Sequence, residues 1–196
     1  DCFVAGADLK EMAEVSEIEA LQISRSLHKL LSYIGAYQAP VVAAVHGYAI
    51  GGGFELALAA DMIFATRDAW FSLPELSFSM IPGGGATQRL TQRLGRADAF
   101  YRIFTGEKLT ADQCLGRGIV QKVFDNNQFV DQVVEDMAHV LEKYGKAASV
   151  ELKRAIRLAG SNEGYEAEAR GFAHLLTQRA RPFIKEFFKA NKKKDN

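Results

Sequence analysis

The chain has 196 residues, 48% of them hydrophobic and 24% charged, which are ordinary proportions for a globular protein. Its 24 basic side chains balance 24 acidic ones, so charge gives no case for a nucleic-acid or membrane-surface partner. No stretch reaches the roughly 18 apolar residues of a membrane span, and Cys2 and Cys114 form no CxxC pair, which argues against a zinc site or a disulfide framework.

Cys2–Ala5 reads as a short buried strand that ends at Gly6. The chain opens on these strand-like residues without an initiator Met, so an N-terminus upstream is expected. Ser16-x-x-Glu19 is a capping box, and behind it Ile18, Leu21, Leu27, Leu30, Leu31 and Ile34 fall on one helical face. From Pro40 to Ile50 the residues are apolar and β-branched, the pattern of a strand covered on both sides. Gly51–Gly53 then opens a helix, and DMIFAT and AWFSL read as two further strands. A second triplet, Gly83–Gly85, opens another helix through Arg93. Helices follow over 97–104 and 110–117, the latter with a Thr110-x-x-Gln113 cap, and IVQKVF is the last strand. Beyond it the pattern is helical throughout: Val130, Val133, Val134, Met137, Leu141 and Tyr144 repeat at helical spacing, segments 147–159 and 163–179 follow, and Pro182 begins a closing helix. This predicts an α/β core over residues 1–125 and a helical C-terminal region over 126–196. The Lys192-Lys193-Lys194 run reads as a solvated tail.

Neither glycine triplet is a nucleotide loop. A dinucleotide fingerprint needs glycine at offsets 0, 2 and 5, and the third position is Leu56 in one case and Gln88 in the other. No Gly-Lys-Ser/Thr, GxSxG or HExxH occurs, and His28, His46, His139 and His174 are scattered, so metal and serine-nucleophile chemistry find no motif.

Two acids stand out. Glu55 follows sixteen residues, Ala39 to Phe54, that carry no Asp, Glu, Lys or Arg, and it sits in the first turn of an apolar helix. An unpaired buried carboxylate costs several kcal/mol. The glycines before it let a backbone approach a ligand, and the helix N-terminus favours negative charge. Glu75 follows Pro74 on an apolar loop. Either could be structural, Glu55 as a dipole partner and Glu75 as an exposed loop residue; a water-containing pocket would explain both as a catalytic pair.

AGADLKEM (5–12), HGYAIGGGFELALAADM (46–62), FSLPEL (71–76) and IPGGGATQRL (81–90), in that order, resemble the enoyl-CoA hydratase, or crotonase, family, and the likeness runs along essentially the whole chain. The resemblance implies a crotonase-like spiral of ββα units with a helical C-terminal region, N-terminally incomplete here because members carry further strands at the start. It implies an oxyanion hole made by the backbone N–H groups of Ala7 and Gly52, with Glu55 as base and Glu75 as acid in the hydration of a trans-2-enoyl-CoA. The segment Ala5, Gly6, Asp8, Leu9 and Lys10 would line the coenzyme A site, Lys10 being equally a solvated lysine. No metal or separate cofactor is implied, coenzyme A being part of the substrate. The family also implies a homotrimer or hexamer built through the C-terminal helices, in the bacterial cytoplasm or the mitochondrial matrix, acting in fatty-acid or related acyl-CoA degradation. Isomerases of similar sequence often keep one of the two glutamates, and a catalytically idle subunit is a further alternative. His46, Phe54 and the order Gly84-Gly85-Ala86 depart from the usual pattern, Phe54 bearing on acyl-chain preference.

Overall fold

The computed structural model describes residues 2–125 and 129–192. Asn126–Gln128, where the expected domain boundary falls, and Lys193–Lys194 of the basic tail lie outside the described residues. The chain divides into two compact units, one of residues 1–37 and 41–137, the other of 38–40 and 138–196.

The first unit holds two three-stranded sheets. In one, β1 (Val42–Val45) pairs in parallel with β3 (Met62–Thr66), which pairs in parallel with β6 (Lys122–Phe124). In the other, β2 (Tyr48–Ile50) lies parallel to β4 (Trp70–Ser72), and β4 runs antiparallel to β5 (Leu109–Thr110). The run from Pro40 to Ile50 is therefore two strands rather than one. Gly47, at φ +63°, turns the chain between them, and each half joins a different sheet. Two strands followed by a helix form the repeating unit: β1 and β2 lead into α3 (Gly52–Ala59), and β3 and β4 lead through a 3₁₀ turn (Glu75–Phe78) to α4 (Ala86–Leu94) and α5 (Arg96–Thr105). β5 is too short for its period to show in sequence.

Cys2–Ala5, expected as a strand, makes a single parallel bridge, Val4 to Ala49, because Gly6 at φ +102° turns the chain away. Around that bridge Phe3 N–H donates to His46 O, Val4 N–H to Tyr48 O and Ile50 N–H to Val4 O. Beyond α1 (Leu9–Met12), α2 (Glu17–Ala36) opens with the expected capping box at Ser16. Its buried stripe is narrower than the sequence suggests. Leu31 is buried and Ser24, Leu27 and Ile34 are half-buried, whereas Ile18, Leu21 and Leu30 are exposed. α6 (Ala111–Gly116) carries the Thr110–Gln113 box, also as expected.

The main core joins Val45, Ala49, Phe54, Leu58, Ile63, Phe71, Leu90 and Ile119. A satellite cluster packs Phe64 and Phe124 against Phe129 and Val133 at the start of α7 (Phe129–Tyr144). Arg93 crosses the core edge and donates to the carbonyls of Leu58 and Ala60 at the C-terminus of α3, and to that of Ile119. Cys114 is fully buried, and burial pushes its thiol up to about 12, so it packs as a small apolar side chain.

In the second unit α8 (Lys146–Arg157) and α9 (Asn162–Leu175) pack closely. A Cβ on Gly164 would meet Leu158 O at 2.3 Å. The chain passes through a π-helical turn (Leu176–Ala180) into α10 (Arg181–Lys192), so the closing helix continues from α9 without a break at Pro182. Phe172, Phe183, Ile184, Phe187 and Phe188 are all exposed.

Candidate active site

α3 begins directly at the end of β2. Gly51 makes the corner with φ +52° and ψ −121°, and its N–H donates to Ser72 O on β4 at 2.9 Å. The N-terminal segment crosses this corner so closely that side chains are excluded. A Cβ on Gly53 would stand 2.2 Å from Val4 O, and one on Gly6 would stand 3.0 Å from Ile50 O and 3.8 Å from Gly52 N. The Gly6–Ala7 link therefore lies against the first turn of α3. Neither the Ala7 nor the Gly52 N–H has a hydrogen-bond partner among the described residues.

Glu55 follows one turn later, with its N–H bonded to Gly51 O, and it is only 2% exposed. Its carboxylate is held by the second glycine turn. Gly84 N–H donates to both oxygens, at 2.7 and 2.8 Å, and Ala86 N–H donates to Oε1 at 3.0 Å. N–H groups only donate, so every one of these contacts uses a carboxylate oxygen as acceptor. Glu55 is thus accommodated by backbone donors, where the sequence suggested a helix dipole or a water-containing pocket. Gly84 permits this: a Cβ there would lie 2.6 Å from Glu55 Oε2.

Glu75 begins the 3₁₀ turn after Pro74, and its Oε1 lies 3.1 Å from the position of a Cβ on Gly51. Its Oε2 is buried with no partner among the described residues. Burial, with a smaller push from the charge of Glu55, raises its carboxyl to about 7, against the opposing pull of its own backbone N–H. Two neighbouring acids thus have contrasting surroundings, one bound by N–H donors from another turn and one desolvated with its Oε2 unpartnered. That contrast suits a base and an acid working together near neutral pH.

Asp8 accepts a hydrogen bond from Lys10 N–H at 2.8 Å and caps α1. Ala5, Ala7, Asp8, Leu9 and Lys10 are exposed and Gly6 is half-buried, so the segment forms a rim beside the glycine corner. Phe54 is a core residue. It is 1% exposed and packs on Phe71 with ring centroids 5.1 Å apart, so its ring fills the core. His46 lies against Phe129, with ring centroids 6.3 Å apart. The residues not anticipated from sequence are the donors Gly84 and Ala86. The second glycine triplet was the available signal, but nothing in it pointed to Glu55.

The family model for enoyl-CoA hydratase/isomerase matches residues 1–188. The chain is 37% identical over 155 residues to a 2,3-dehydroadipyl-CoA hydratase of Escherichia coli K12, covering 79% of this chain and 60% of that protein. It is 36% identical over 166 residues to a crotonyl-CoA hydratase of Syntrophomonas wolfei, covering 85% and 62%. The chain therefore spans about three-fifths of the length of these curated relatives. The crystal structure of an enoyl-CoA hydratase from Thermoplasma volcanium superposes with a TM-score of 0.83 at 30% identity, over 91% of this chain and 72% of that one. Relatives include both bacterial and mitochondrial proteins. Fold, motif order and these likenesses agree, and the chain belongs to the enoyl-CoA hydratase/isomerase family, with the crotonase fold.

Proposed function

We propose that the protein hydrates a trans-2-enoyl-CoA to the 3-hydroxyacyl-CoA, within acyl-CoA degradation. The observation that carries this reading is the pair of acids, Glu55 buried and Glu75 half-buried, in unlike surroundings beside the glycine corner. The Ala7 and Gly52 N–H groups hold the thioester oxygen as enolate charge develops; one such donor is worth about 2.7–4 kcal/mol. Glu55 accepts a proton from water while the water oxygen bonds to C3. The C2=C3 π electrons move toward the carbonyl, and Glu75 delivers a proton to C2. Glu55 is left protonated and Glu75 ionised, and a proton passed back between them restores the starting state. Coenzyme A enters as part of the substrate, its nucleotide held by the rim from Ala5 to Lys10, and the chemistry asks for no metal or separate cofactor.

The same reading makes the protein a homotrimer or a hexamer, closed through the C-terminal helices. The exposed Phe172, Phe183, Phe187 and Phe188 support it, since apolar exposure of this kind usually marks an interface. Bacterial cytoplasm or mitochondrial matrix are the compartments that fit.

The test is loss of the conjugated-enoyl absorbance when the complete protein meets crotonyl-CoA, run beside the 3-enoyl thioester that an isomerase would prefer. Glu55→Gln and Glu75→Gln should each abolish most of the hydration; near-normal rates in both would overturn the assignment. Light scattering decides the assembly, and a stable monomer at micromolar concentration would remove the oligomer.

A further inference from the structure

The N–H that grips both oxygens of Glu55 belongs to the peptide joining Gly83 to Gly84. The carbonyl of that same peptide accepts a hydrogen bond from Ser24 Oγ at 2.7 Å. Ser24 lies on α2, which carries none of the groups assigned to the reaction. Serine in a helix interior commonly turns back to the carbonyl four residues earlier. Thr91, Thr105, Ser149 and Thr177 all do so, to Thr87, Tyr101, Gly145 and Ala173. Ser24 instead reaches across to a residue 59 positions later. It occupies the inward stripe of α2, beside Leu27, whose Cδ2 would stand 2.8 Å from a Cβ on Gly84. The next peptide of the turn is pinned as well: Arg89 Nη1 donates to Gly84 O at 2.7 Å.

We propose that Ser24 is a positioning residue for Glu55, acting through the Gly83–Gly84 peptide. The chain of groups runs Ser24 O–H, peptide C=O, peptide N–H, Glu55 carboxylate. A donor at the carbonyl polarises the amide and strengthens donation from its N–H, by about 10–30% per bond in condensed-phase estimates. It also fixes the peptide plane. A glycine peptide has the backbone freedom to rotate, and with the carbonyl held the N–H stays on the carboxylate. Arg89 holds the following carbonyl, so the turn is clamped on both sides. The catalytic meaning of this clamp rests on Glu55 acting as the base of the hydration.

The test uses Ser24→Ala and Ser24→Thr in the complete protein, with two independent readouts. The first is the Gly84 amide, followed by proton chemical shift and hydrogen exchange. Ser24→Ala should move the amide proton upfield and speed its exchange by about tenfold relative to the Leu90 amide. Ser24→Thr, which keeps the hydroxyl, should restore both. The second is hydration of crotonyl-CoA, in which Ser24→Ala should lower kcat by about 3- to 10-fold with KM held within about twofold. An unchanged Gly84 amide in Ser24→Ala would overturn the proposal. So would a uniform loss of protection across α2 and α4, which marks a merely structural serine, or a Thr variant that behaves like Ala. If the parent protein does not hydrate crotonyl-CoA, the functional reading fails on its own, while the amide measurements still decide whether the clamp exists.

Discussion

Glu75 provides a stability measurement that needs no substrate. Its carboxyl is raised from an ordinary 4.5 to about 7, chiefly by burial. In the unfolded chain it ionises near the ordinary value, so between 4.5 and about 7 the folded protein keeps a proton that the unfolded chain has released. Stability therefore falls as pH rises through that window, then levels off above it. The full shift corresponds to about 3.4 kcal/mol at roughly 1.4 kcal/mol per unit. Glu75 is only half-buried, and solvent screening reduces the figure to about 1–2 kcal/mol. Glu75→Gln keeps the shape and removes the titration. The variant should gain about 1–2 kcal/mol over the parent at pH 8 relative to their difference at pH 4.5, where Glu75 is largely protonated in the folded state and half so in the unfolded chain. Urea denaturation of both proteins at the two pH values, followed by far-UV circular dichroism, measures this double difference. An identical gap at both would mean that Glu75 ionises as freely in the fold as in water, and the argument from its unpartnered oxygen would fall.

Gly84→Ala places a methyl 2.6 Å from Glu55 Oε2 and 2.8 Å from Leu27 Cδ2, which forces the carboxylate off its donors. The expected result is a loss of about 1–3 kcal/mol in stability and a kcat reduced by at least about tenfold, read by urea melts and crotonyl-CoA turnover. Gly53→Ala drives a Cβ to 2.2 Å from Val4 O, so the N-terminal segment should detach. Faster hydrogen exchange at the Ile50 amide, which donates to Val4 O, would report it, and an unchanged amide would count against the close crossing. Arg93→Met removes the donors to Leu58, Ala60 and Ile119, and should cost about 2–4 kcal/mol with little change in KM.

Most elements could be read from the chain because their signals are local. The boxes at Ser16 and Thr110 need only four residues each, and both helices start where they predict. The break at Gly47 was hidden because both halves of the run are apolar, and nothing in the run shows that they join different sheets. Glu55 was conspicuous as a lone charge in an apolar stretch. Its partners were not, since they are main-chain groups 29 and 31 residues away and an N–H has no letter in a sequence. The placement of Phe54 was equally hidden: its neighbour Gly53 faces Val4, while Phe54 itself turns into the core against Phe71.

Glu55 is held by the N–H groups of Gly84 and Ala86, and the donors beside Gly51 are amides too. Main-chain groups are the same for every residue except proline, so the identity of a polar neighbour cannot be lost by mutation here. Vulnerability passes instead to positions whose virtue is having no side chain. A saturation scan of this protein should find two acids intolerant, few polar residues around them equally so, and a band of damage at Gly51, Gly53 and Gly84, where even alanine is too large or too constrained. Drift in this site would then be limited by volume first: substitutions that add atoms near the turns are purged, and of the polar side chains around them Ser24 and Arg89, which hold the Gly83 and Gly84 carbonyls, are the constrained ones.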